Sequence, residues 1–232
     1  MTKPGDRAQP ANGAADTIRR PVTNSRGQVT RDQILDVAKV HFGRGGFRGV
    51  STAAIAAEAG VTDPGLLHHF RSKAGLLMAL LESRFGRDDE ILLVDSSERG
   101  TELLTRLGDL VEENEGQRDD VRLFSVLLAE SVAEDHPSHE YFSQRFRHAR
   151  ELLHDHLEAA QRRGVIKPSV DTRGLATALL ALMDGLQYQW LIDESVDMAG
   201  SFRAVTTLLG EAMVTDPSTE AQSSQGDVGG PA

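Results

Sequence analysis

The sequence contains no cysteine among its 232 residues, so disulfide bonds, thiol catalysis and cysteine-rich zinc sites are excluded. No apolar run approaches the length of about 18 residues that a membrane span needs, so no membrane contact is expected. The start of the chain lacks the apolar segment of a signal peptide, and we expect the protein to stay in the cytoplasm. A nucleophile elbow, a phosphate-binding loop and a dinucleotide fingerprint are also missing. We therefore predict no enzymatic activity and no cofactor.

Acidic residues outnumber basic ones, 35 to 25, but the excess is confined to one part of the chain. Residues 1–86 carry 12 Lys and Arg against 7 Asp and Glu, a net charge of +5, whereas residues 87–232 carry 13 against 28, a net charge of −15. These two values make up the −10 of the whole chain. Because a basic region attracts phosphates and an acidic one repels them, the pattern indicates a DNA-binding region joined to a region that avoids DNA. Ordinary variation of surface charge is the alternative.

Apolar residues repeat with helical spacing through most of the chain, and strand-like alternation is missing. Near the N-terminus, Thr30 to Gln33 forms a capping box that predicts the start of the first helix. From about residue 98 onward the pattern predicts successive amphipathic helices, including a long one over 138–163 that ends at Gly164. Two further helices are predicted over 171–192 and 200–213. The fold class is therefore all-α.

The stretch from Val50 to Lys73 predicts two short helices joined by a tight turn. Ser51 is a candidate N-cap of the first helix, and Gly60 can leave that helix through a left-handed conformation. Thr62 is a candidate cap of the second helix, and Pro64 is tolerated because it falls in the first turn. Ser72 is predicted to cap the helix that follows. The arrangement is a helix-turn-helix.

Several positions in and before this stretch occur together at fixed spacing. They are Ala38, Phe42, Gly45, Gly46, Phe47, Ser51, Ile55, Ala56, Ala59, Gly60, Val61, Thr62, Leu66, Phe70, Ser72 and Lys73. Over about residues 30–82 the pattern resembles the DNA-binding domain of TetR-type transcriptional regulators. Leu67 departs from it, because the family usually carries a tyrosine there whose phosphate contact is then absent. His68 or His69 is a candidate to replace that contact.

The resemblance implies a ligand-responsive repressor with two domains. Its homodimer would bind a pseudo-palindromic operator in double-stranded DNA, and a small, largely apolar effector would release it. The predicted parts are a disordered basic arm over 1–28, a helix-turn-helix domain over 29–73, an effector-binding and dimerisation domain over 74–214 with its connecting helix at 72–85, and a disordered tail over 215–232. The arm either contacts DNA or serves only as a solubilising tail.

The residues predicted to contact DNA lie at helix N-termini or on the outer side of the second short helix. They are Arg48, Ser51, Thr62, Asp63, Gly65, Leu66, His68, His69 and Lys73. No Arg, Asn or Gln lies between Thr62 and Phe70. Specificity is therefore expected from thymine-methyl contacts of Thr62 or Leu66, from DNA shape, or from Arg48 and the arm. For Ser51 and Lys73, plain helix capping is the alternative role.

The two C-terminal helices are apolar on nearly all sides, so each must be covered on more than one face. The resemblance implies that they form a four-helix dimer interface. The interface candidates are Leu179, Met183, Leu186, Phe202, Val205 and Leu209. A core within a single subunit is the alternative.

An effector cavity is predicted among the helices of the C-terminal domain. Its candidate residues are Phe124, Leu128, Phe142, Phe146, Met183 and Trp190. Each of them also fits plain core packing. A ligand there is expected to act on DNA through the connecting helix alone, by favouring one spacing of the two DNA-binding domains.

Two histidine pairs, His136 with His139 and His154 with His156, are the candidates for metal binding. The first pair flanks a proline turn, the second points to different helix sides, and no histidines are spaced as in a zinc-protease helix. We therefore predict no metal site. The alternative function is a small-molecule-binding protein or an enzyme with a His/carboxylate metal site in this domain.

Overall fold

The computed structural model describes residues 26–86 and 100–215, where the regular structure is helical apart from one isolated bridge between Ile166 and Val214. The helices of these two ranges are α1 (Arg26–Gly45), α2 (Thr52–Glu58), α3 (Asp63–Phe70), α4 (Lys73–Phe85), α5 (Gly100–Glu115), α6 (Arg118–Glu130), α7 (His139–Arg162), α8 (Thr172–Ile192) and α9 (Met198–Met213). The predicted all-α fold class is confirmed. None of these helices combines the length and apolar character that crossing a membrane requires.

We call α1 to α3 the head and α4 to α9 the body. The head is held by a small core in which Ile34, Phe42, Ile55 and Leu66 are fully buried. Such short helices are not stable in isolation, so this core and the helix caps together keep them folded.

The core of the head continues into the body. Leu123 and Leu127 of α6 and Phe142 of α7 are buried in the same apolar cluster as the head residues. Helix α6 also approaches α1 closely, because a Cβ built on Gly43 would lie 3.5 Å from the Leu123 Cα. The predicted domain boundary after residue 73 therefore separates helices but does not separate apolar cores.

The second apolar cluster lies within the body and joins α5, α7, α8 and α9. Leu107, Leu157, Ala176 and Phe202 are among its fully buried members. The charged sides of α5 and α7 face solvent, as their amphipathic sequences predict. The body thus has a larger core of its own besides the part it shares with the head.

Some predicted boundaries need correction. Helix α1 begins at Arg26, four residues before the predicted cap at Thr30, so residues 26–28 belong to a helix and not to the arm. The rest of the predicted arm and residues 216–232 of the tail lie outside the described residues. Helix α6 ends at Glu130, and Val132, two residues beyond this end, is 81% exposed. The end of α7 before Gly164, which has φ +75°, is confirmed.

Candidate DNA interface and ligand cavity

Three hydroxyl caps and one glycine define the ends of the helix-turn-helix. The hydroxyl oxygens of Ser51 and Thr62 each accept a hydrogen bond at 3.2 Å from the amide three residues later, and Ser72 does the same at 3.0 Å. Each cap satisfies one amide that the helix cannot pair internally. Gly60 has φ +69°, the left-handed conformation that the turn requires. All four predicted roles are confirmed.

Helix α3 divides into a buried and an exposed side. Leu66 is fully buried and Phe70 is 5% exposed, so both serve the core of the head. Thr62, Pro64 and His68 are exposed. The prediction that Leu66 contacts a thymine methyl group is therefore wrong, because the side chain faces the core and cannot reach a DNA groove.

The other predicted residues of α3 are less accessible than His68. Asp63, Gly65 and His69 are half-buried. Arg71, which directly follows α3, is exposed and has φ +64°, a backbone conformation that is uncommon outside glycine. The sequence pattern did not single it out, because a helix-end position carries no recognisable signal for a contact with a ligand. It adds a positive charge at the end of the exposed side of α3.

Neighbouring groups contact Arg48 and Lys73, the two other cations predicted to bind DNA. The Arg48 guanidinium lies 2.8 Å from the Asp135 carboxylate of the body, with both side chains largely exposed. The Lys73 Nζ atom lies 4.6 Å from the centre of the Phe47 ring, a cation–π contact. Arg48 is therefore directed toward the body by an ion pair that a DNA contact would have to replace.

A cavity of about 290 Å³ lies between α4, α5, α6, α7 and α8. Its walls include the predicted residues Phe124, Phe146 and Met183. The prediction is wrong for Leu128, Phe142 and Trp190, which do not line it. Leu128 and Phe142 pack with the core that the head and α6 share, and Trp190 is covered by Arg118, whose Cζ lies 4.8 Å from the ring centre.

The cavity wall is more polar than its predicted aromatic and aliphatic residues imply. Asp184 and Gln187, one turn apart on α8, both line it, and Gln187 is only 7% exposed. Burial raises the pKa of Asp184 from 3.8 to about 6, although the positive charge of Arg145 opposes this rise. Arg145 donates a hydrogen bond at 2.8 Å to the Phe85 carbonyl oxygen, and its guanidinium lies 5.6 Å from the Phe124 ring centre. Sequence reasoning missed these polar residues, because isolated Asp, Gln and Arg on amphipathic helices look like solvated positions.

The structure divides the predicted dimer residues into two groups. Other helices of the same chain bury four of them, Leu179, Met183, Leu186 and Phe202. The prediction that these four lie in the dimer interface is therefore wrong, and they belong to the core of the subunit. Val205 is 38% exposed, and Leu209 is half-buried. Large apolar side chains that sequence reasoning did not select, Leu208 at 65% and Ile192 at 85%, are more exposed. Four of the six predicted residues are therefore buried within the subunit, while other apolar side chains of α8 and α9 remain exposed.

The two histidine pairs do not assemble into a shared site. The Nδ1 atom of His136 lies 2.8 Å from the Ser138 hydroxyl, and that of His139 lies 2.8 Å from a backbone carbonyl oxygen. In the described ranges, one group of side chains could share a metal ion, namely His154, Asp155 and Glu158 on consecutive turns of α7. His154 already contacts Thr172 at 3.0 Å. The arrangement does not favour the alternative of a metal enzyme.

Charged residues connect the head, α4 and α6 beside the cavity. Arg84 of α4 forms an ion pair with Asp36 of α1, and Lys39 of α1 lies 3.2 Å from the Asp120 carboxylate of α6. The Arg84 Nε atom is also 4.0 Å from Asp120. Arg84 and Asp120 both line the cavity. Contacts between the cavity wall and the head therefore run through α6 as well as through α4, whereas the sequence predicted a connection through α4 alone.

A second contact between head and body lies at the far end of α6. The Glu130 carboxylate accepts a hydrogen bond from the Phe47 backbone N–H at 2.6 Å and lies 3.4 Å from His136 Nε2. Burial lowers the pKa of His136, while the nearby Glu130 charge raises it. Gly46 has φ +66°, and a Cβ built on it would lie 2.2 Å from a Glu130 oxygen. Only glycine fits this approach without displacing the carboxylate.

The chain matches two family models and several known proteins. The model described as bacterial regulatory proteins, tetR family, matches residues 34–80, and that of the BetI-type transcriptional repressor, C-terminal, matches residues 101–213. The HTH-type transcriptional regulator TtgR of Pseudomonas putida is 31% identical over 207 residues, which cover 77% of this chain and 88% of the relative.

Solved structures share the fold. A regulator from Saccharomonospora viridis in complex with choline has 26% identity and a TM-score of 0.65, covering 81% of this chain and 99% of that one. NalD, the secondary repressor of the MexAB-OprM multidrug efflux pump in Pseudomonas aeruginosa, has 23% identity and a TM-score of 0.68, covering 81% and 97%.

A helix-turn-helix head on a hollow helical body defines the class of DNA-binding transcriptional regulators with a ligand-binding domain. More specifically, the chain belongs to the TetR family of transcriptional regulators. The predicted family and the predicted function as a ligand-responsive transcriptional repressor are confirmed at this level.

Proposed function

We propose that the protein acts as a homodimer that represses transcription from a pseudo-palindromic operator and leaves it when a small molecule fills the cavity. The observation that carries this proposal is the position of α6. Val121 and Phe124 of that helix line the cavity, whereas Leu123 and Leu127 are buried in the core of the head. Any shift of α6 on ligand binding must therefore be accommodated by the head.

The size of the required effect is modest. A ligand moves a two-state population from one side to the other if it favours one state by a few kcal/mol. Repacking Phe124 and loosening the Arg84 and Asp120 contacts are changes of that order, because each alters buried apolar surface or a partly buried ion pair. A small molecule bound to the regulator from Saccharomonospora viridis, which shares the fold, supports such a role for the body.

For the DNA contact we propose the exposed hydroxyls and cations around α3. Thr62 and His68 would enter the major groove, while Ser51 and Ser72 would donate to phosphates from helix N-termini. Arg71 would add a charge contact at the end of α3. These residues include few strong base readers, so we propose that DNA shape supplies much of the sequence preference.

For the dimer we propose the outward faces of α8 and α9. On α8 this face carries the small exposed residues Ala178, Ala181 and Gly185, and on α9 it carries the exposed Val205 and Leu208. Small residues allow helices to approach closely, and the apolar side chains beside them would lose contact with water. A two-fold dimer would present two equal heads to the two half-sites of an operator.

Sedimentation tests the dimer. The wild-type protein should sediment as a dimer at micromolar concentration, and Leu208→Glu should give a monomer, because a buried unpaired carboxylate is costly. Val132→Glu is the matched control, since Val132 is also exposed but is not part of α8 or α9. A wild-type monomer, or a dimer that withstands Leu208→Glu, contradicts the proposed interface.

Filling the cavity tests the release mechanism. Ala149 lines the cavity and is 8% exposed, so Ala149→Phe should occupy part of the ligand space. We expect this variant to bind the operator but to respond weakly to any compound that releases the wild type, as measured by fluorescence anisotropy of labelled DNA. Val132→Phe serves as the control. Undiminished release from the filled variant contradicts the proposed position of the effector.

A further inference from the structure

We propose that the cavity recognises an organic cation, namely a protonated amine on a bulky apolar body, and that Asp184 and Gln187 bind its ammonium group. This inference depends on the proposed function in that the cavity is taken as the effector site. It goes further by naming the chemical class of the effector.

The first step of the argument concerns unused hydrogen-bonding groups. In the ranges that the structure describes, neither the Asp184 carboxylate nor the Gln187 side-chain amide takes part in a hydrogen bond. Neither group belongs to the fully buried unpaired atoms of the described residues, so their polar atoms are accessible from the cavity that both residues line. Two accessible polar groups one turn apart in a cavity wall can bind a ligand. A carboxylate and an amide oxygen both accept hydrogen bonds, so the matching ligand group is a donor.

The second step concerns the charges around the cavity. Of the three acidic residues in its wall, Asp120 is paired with Lys39 and Glu113 is exposed, while Asp184 lacks an ion pair within 4.0 Å in the described part of the chain. Of the basic residues, Arg84 pairs with Asp36, although its Nε atom lacks a hydrogen-bond partner among the described residues, and Arg145 donates to the Phe85 carbonyl oxygen. A cationic ligand would thus supply the charge that Asp184 needs. The carboxylate of Asp184 would repel an anionic ligand.

The third step concerns the apolar part of the ligand. The apolar part of the cavity wall includes Phe124, Phe146, Leu107 and Val121. The volume of about 290 Å³ is about twice that of a 150 Å³ cavity known to accept benzene. A bicyclic aromatic body therefore fits, with its charged group at the Asp184 end. The result is an amphipathic monocation, which adds a positive charge to the small, largely apolar effector that the sequence predicted.

Three probes that share one naphthalene body test the inference. They are 1-naphthylmethylamine, 1-naphthalenemethanol and 1-naphthoic acid, which are cationic, neutral and anionic at pH 7.5. Titration calorimetry on the full-length protein without DNA should rank the amine first and the acid last. We expect the amine to bind about tenfold or more tightly than the alcohol, as a charge-assisted hydrogen bond implies.

Variants then assign the preference to a residue. Asp184→Asn should reduce the preference for the amine over the alcohol to about threefold or less, because it removes the charge but keeps the shape. Asp119→Asn, which removes the same charge from an exposed position outside the cavity wall, should keep the full preference. Thermal unfolding shows whether each variant is folded. Binding of the alcohol to a folded Asp184→Asn variant shows that its cavity is still present.

Several outcomes overturn the inference. They are a wild type that prefers the acid or does not discriminate, an Asp184→Asn variant that still prefers the amine, and a wild type that binds none of the three probes at millimolar concentration. Operator release is measured separately by DNA anisotropy. If the amine binds through Asp184 but does not release the DNA, the ligand class is correct and the release mechanism is wrong. If a different class of compound binds in the cavity and releases the DNA, the release mechanism is correct and the ligand class is wrong.

Discussion

The head and the body of this regulator are built from similar helices but use their cores differently. The head uses its apolar side chains fully, since Ile34, Phe42, Ile55 and Leu66 are all completely buried. The body leaves a cavity of about 290 Å³ between its helices and keeps Asp184 and Gln187 in its wall. Close packing is the rule for protein interiors, so a cavity with unpaired polar groups reduces stability and indicates a functional site.

The largest expected effect comes from truncating the core of the head. Ile55→Ala should reduce the free energy of unfolding by about 2–5 kcal/mol, as for other fully buried aliphatic residues. Because the core of the head is small, operator binding should be lost in the same variant. Calorimetric unfolding and DNA anisotropy measure the two effects.

The matched change in the body is Leu157→Ala, since Leu157 is also fully buried. It should cost a similar free energy of unfolding, but the larger core of the body should keep the head folded and the operator bound at room temperature. Equal loss of DNA binding in both variants would show that head and body fold as one unit without local independence.

A second pair of variants compares two glycines with the same backbone conformation. Gly46 and Gly60 both have positive φ, but an added Cβ meets a Glu130 oxygen at 2.2 Å in Gly46 and nothing within 4 Å in Gly60. Gly60→Ala should cost about 1 kcal/mol from the left-handed backbone alone, whereas Gly46→Ala should cost about 2–4 kcal/mol because it also displaces the Glu130 carboxylate. Chemical denaturation measures both.

The control for this pair is to make both glycine substitutions in a protein that also carries Glu130→Ala. Removing the carboxylate there should bring the cost of Gly46→Ala close to that of Gly60→Ala. If the difference between the two glycines persists without Glu130, the contact between Gly46 and the body does not explain it.

The comparison also shows what could be predicted from the sequence. The caps at Ser51, Thr62 and Ser72 and the turn at Gly60 were predictable because each depends on neighbours within a few residues. The positions of α7 and α8 followed from helical periodicity in the same way. These local signals gave most of the fold.

The cavity and the interface depend on long-range packing, which periodicity does not encode. Phe142 and Phe146 lie on one apolar side of α7, yet the first is buried beside α6 and the second lines the cavity. Leu179 and Phe202 could equally have faced a second subunit. No sequence pattern indicated a role for Asp184. Burial raises its pKa, and this burial depends on helices from distant parts of the chain.

The pH dependence of stability tests the ionisable group in the cavity wall of the body. Burial raises the pKa of Asp184 from 3.8 to about 6, so the folded protein holds this proton more tightly than the unfolded chain does. The contribution of Asp184 to stability is therefore most favourable below pH 4, decreases from about pH 4 to about 6, and stays constant above that. Other charges that face this group are those of Arg145, Glu113, Asp120 and Arg84.

Asp184→Asn should therefore stabilise the ligand-free protein at pH 7.5, by about 1–3 kcal/mol, and have little effect at pH 4. Thermal unfolding across this pH range measures the difference from the wild type. A variant that is less stable than the wild type at pH 7.5 would show that the ionised carboxylate is stabilised in the ligand-free cavity.

The smallest expected effect concerns the exposed ion pair between Arg48 of the head and Asp135 of the body. The two side chains are 64% and 77% exposed, so Asp135→Asn should change the free energy of unfolding by at most about 1 kcal/mol. It should, however, release the Arg48 guanidinium for a phosphate and tighten operator binding by about two- to fivefold, with a steeper dependence on salt. Glu134→Gln is the control, since Glu134 is exposed and the same charge is removed beside the pair. Anisotropy titrations at several salt concentrations distinguish the two variants. If both tighten binding equally, the gain comes from the overall charge of the body, and Arg48 is not the residue that reaches the DNA.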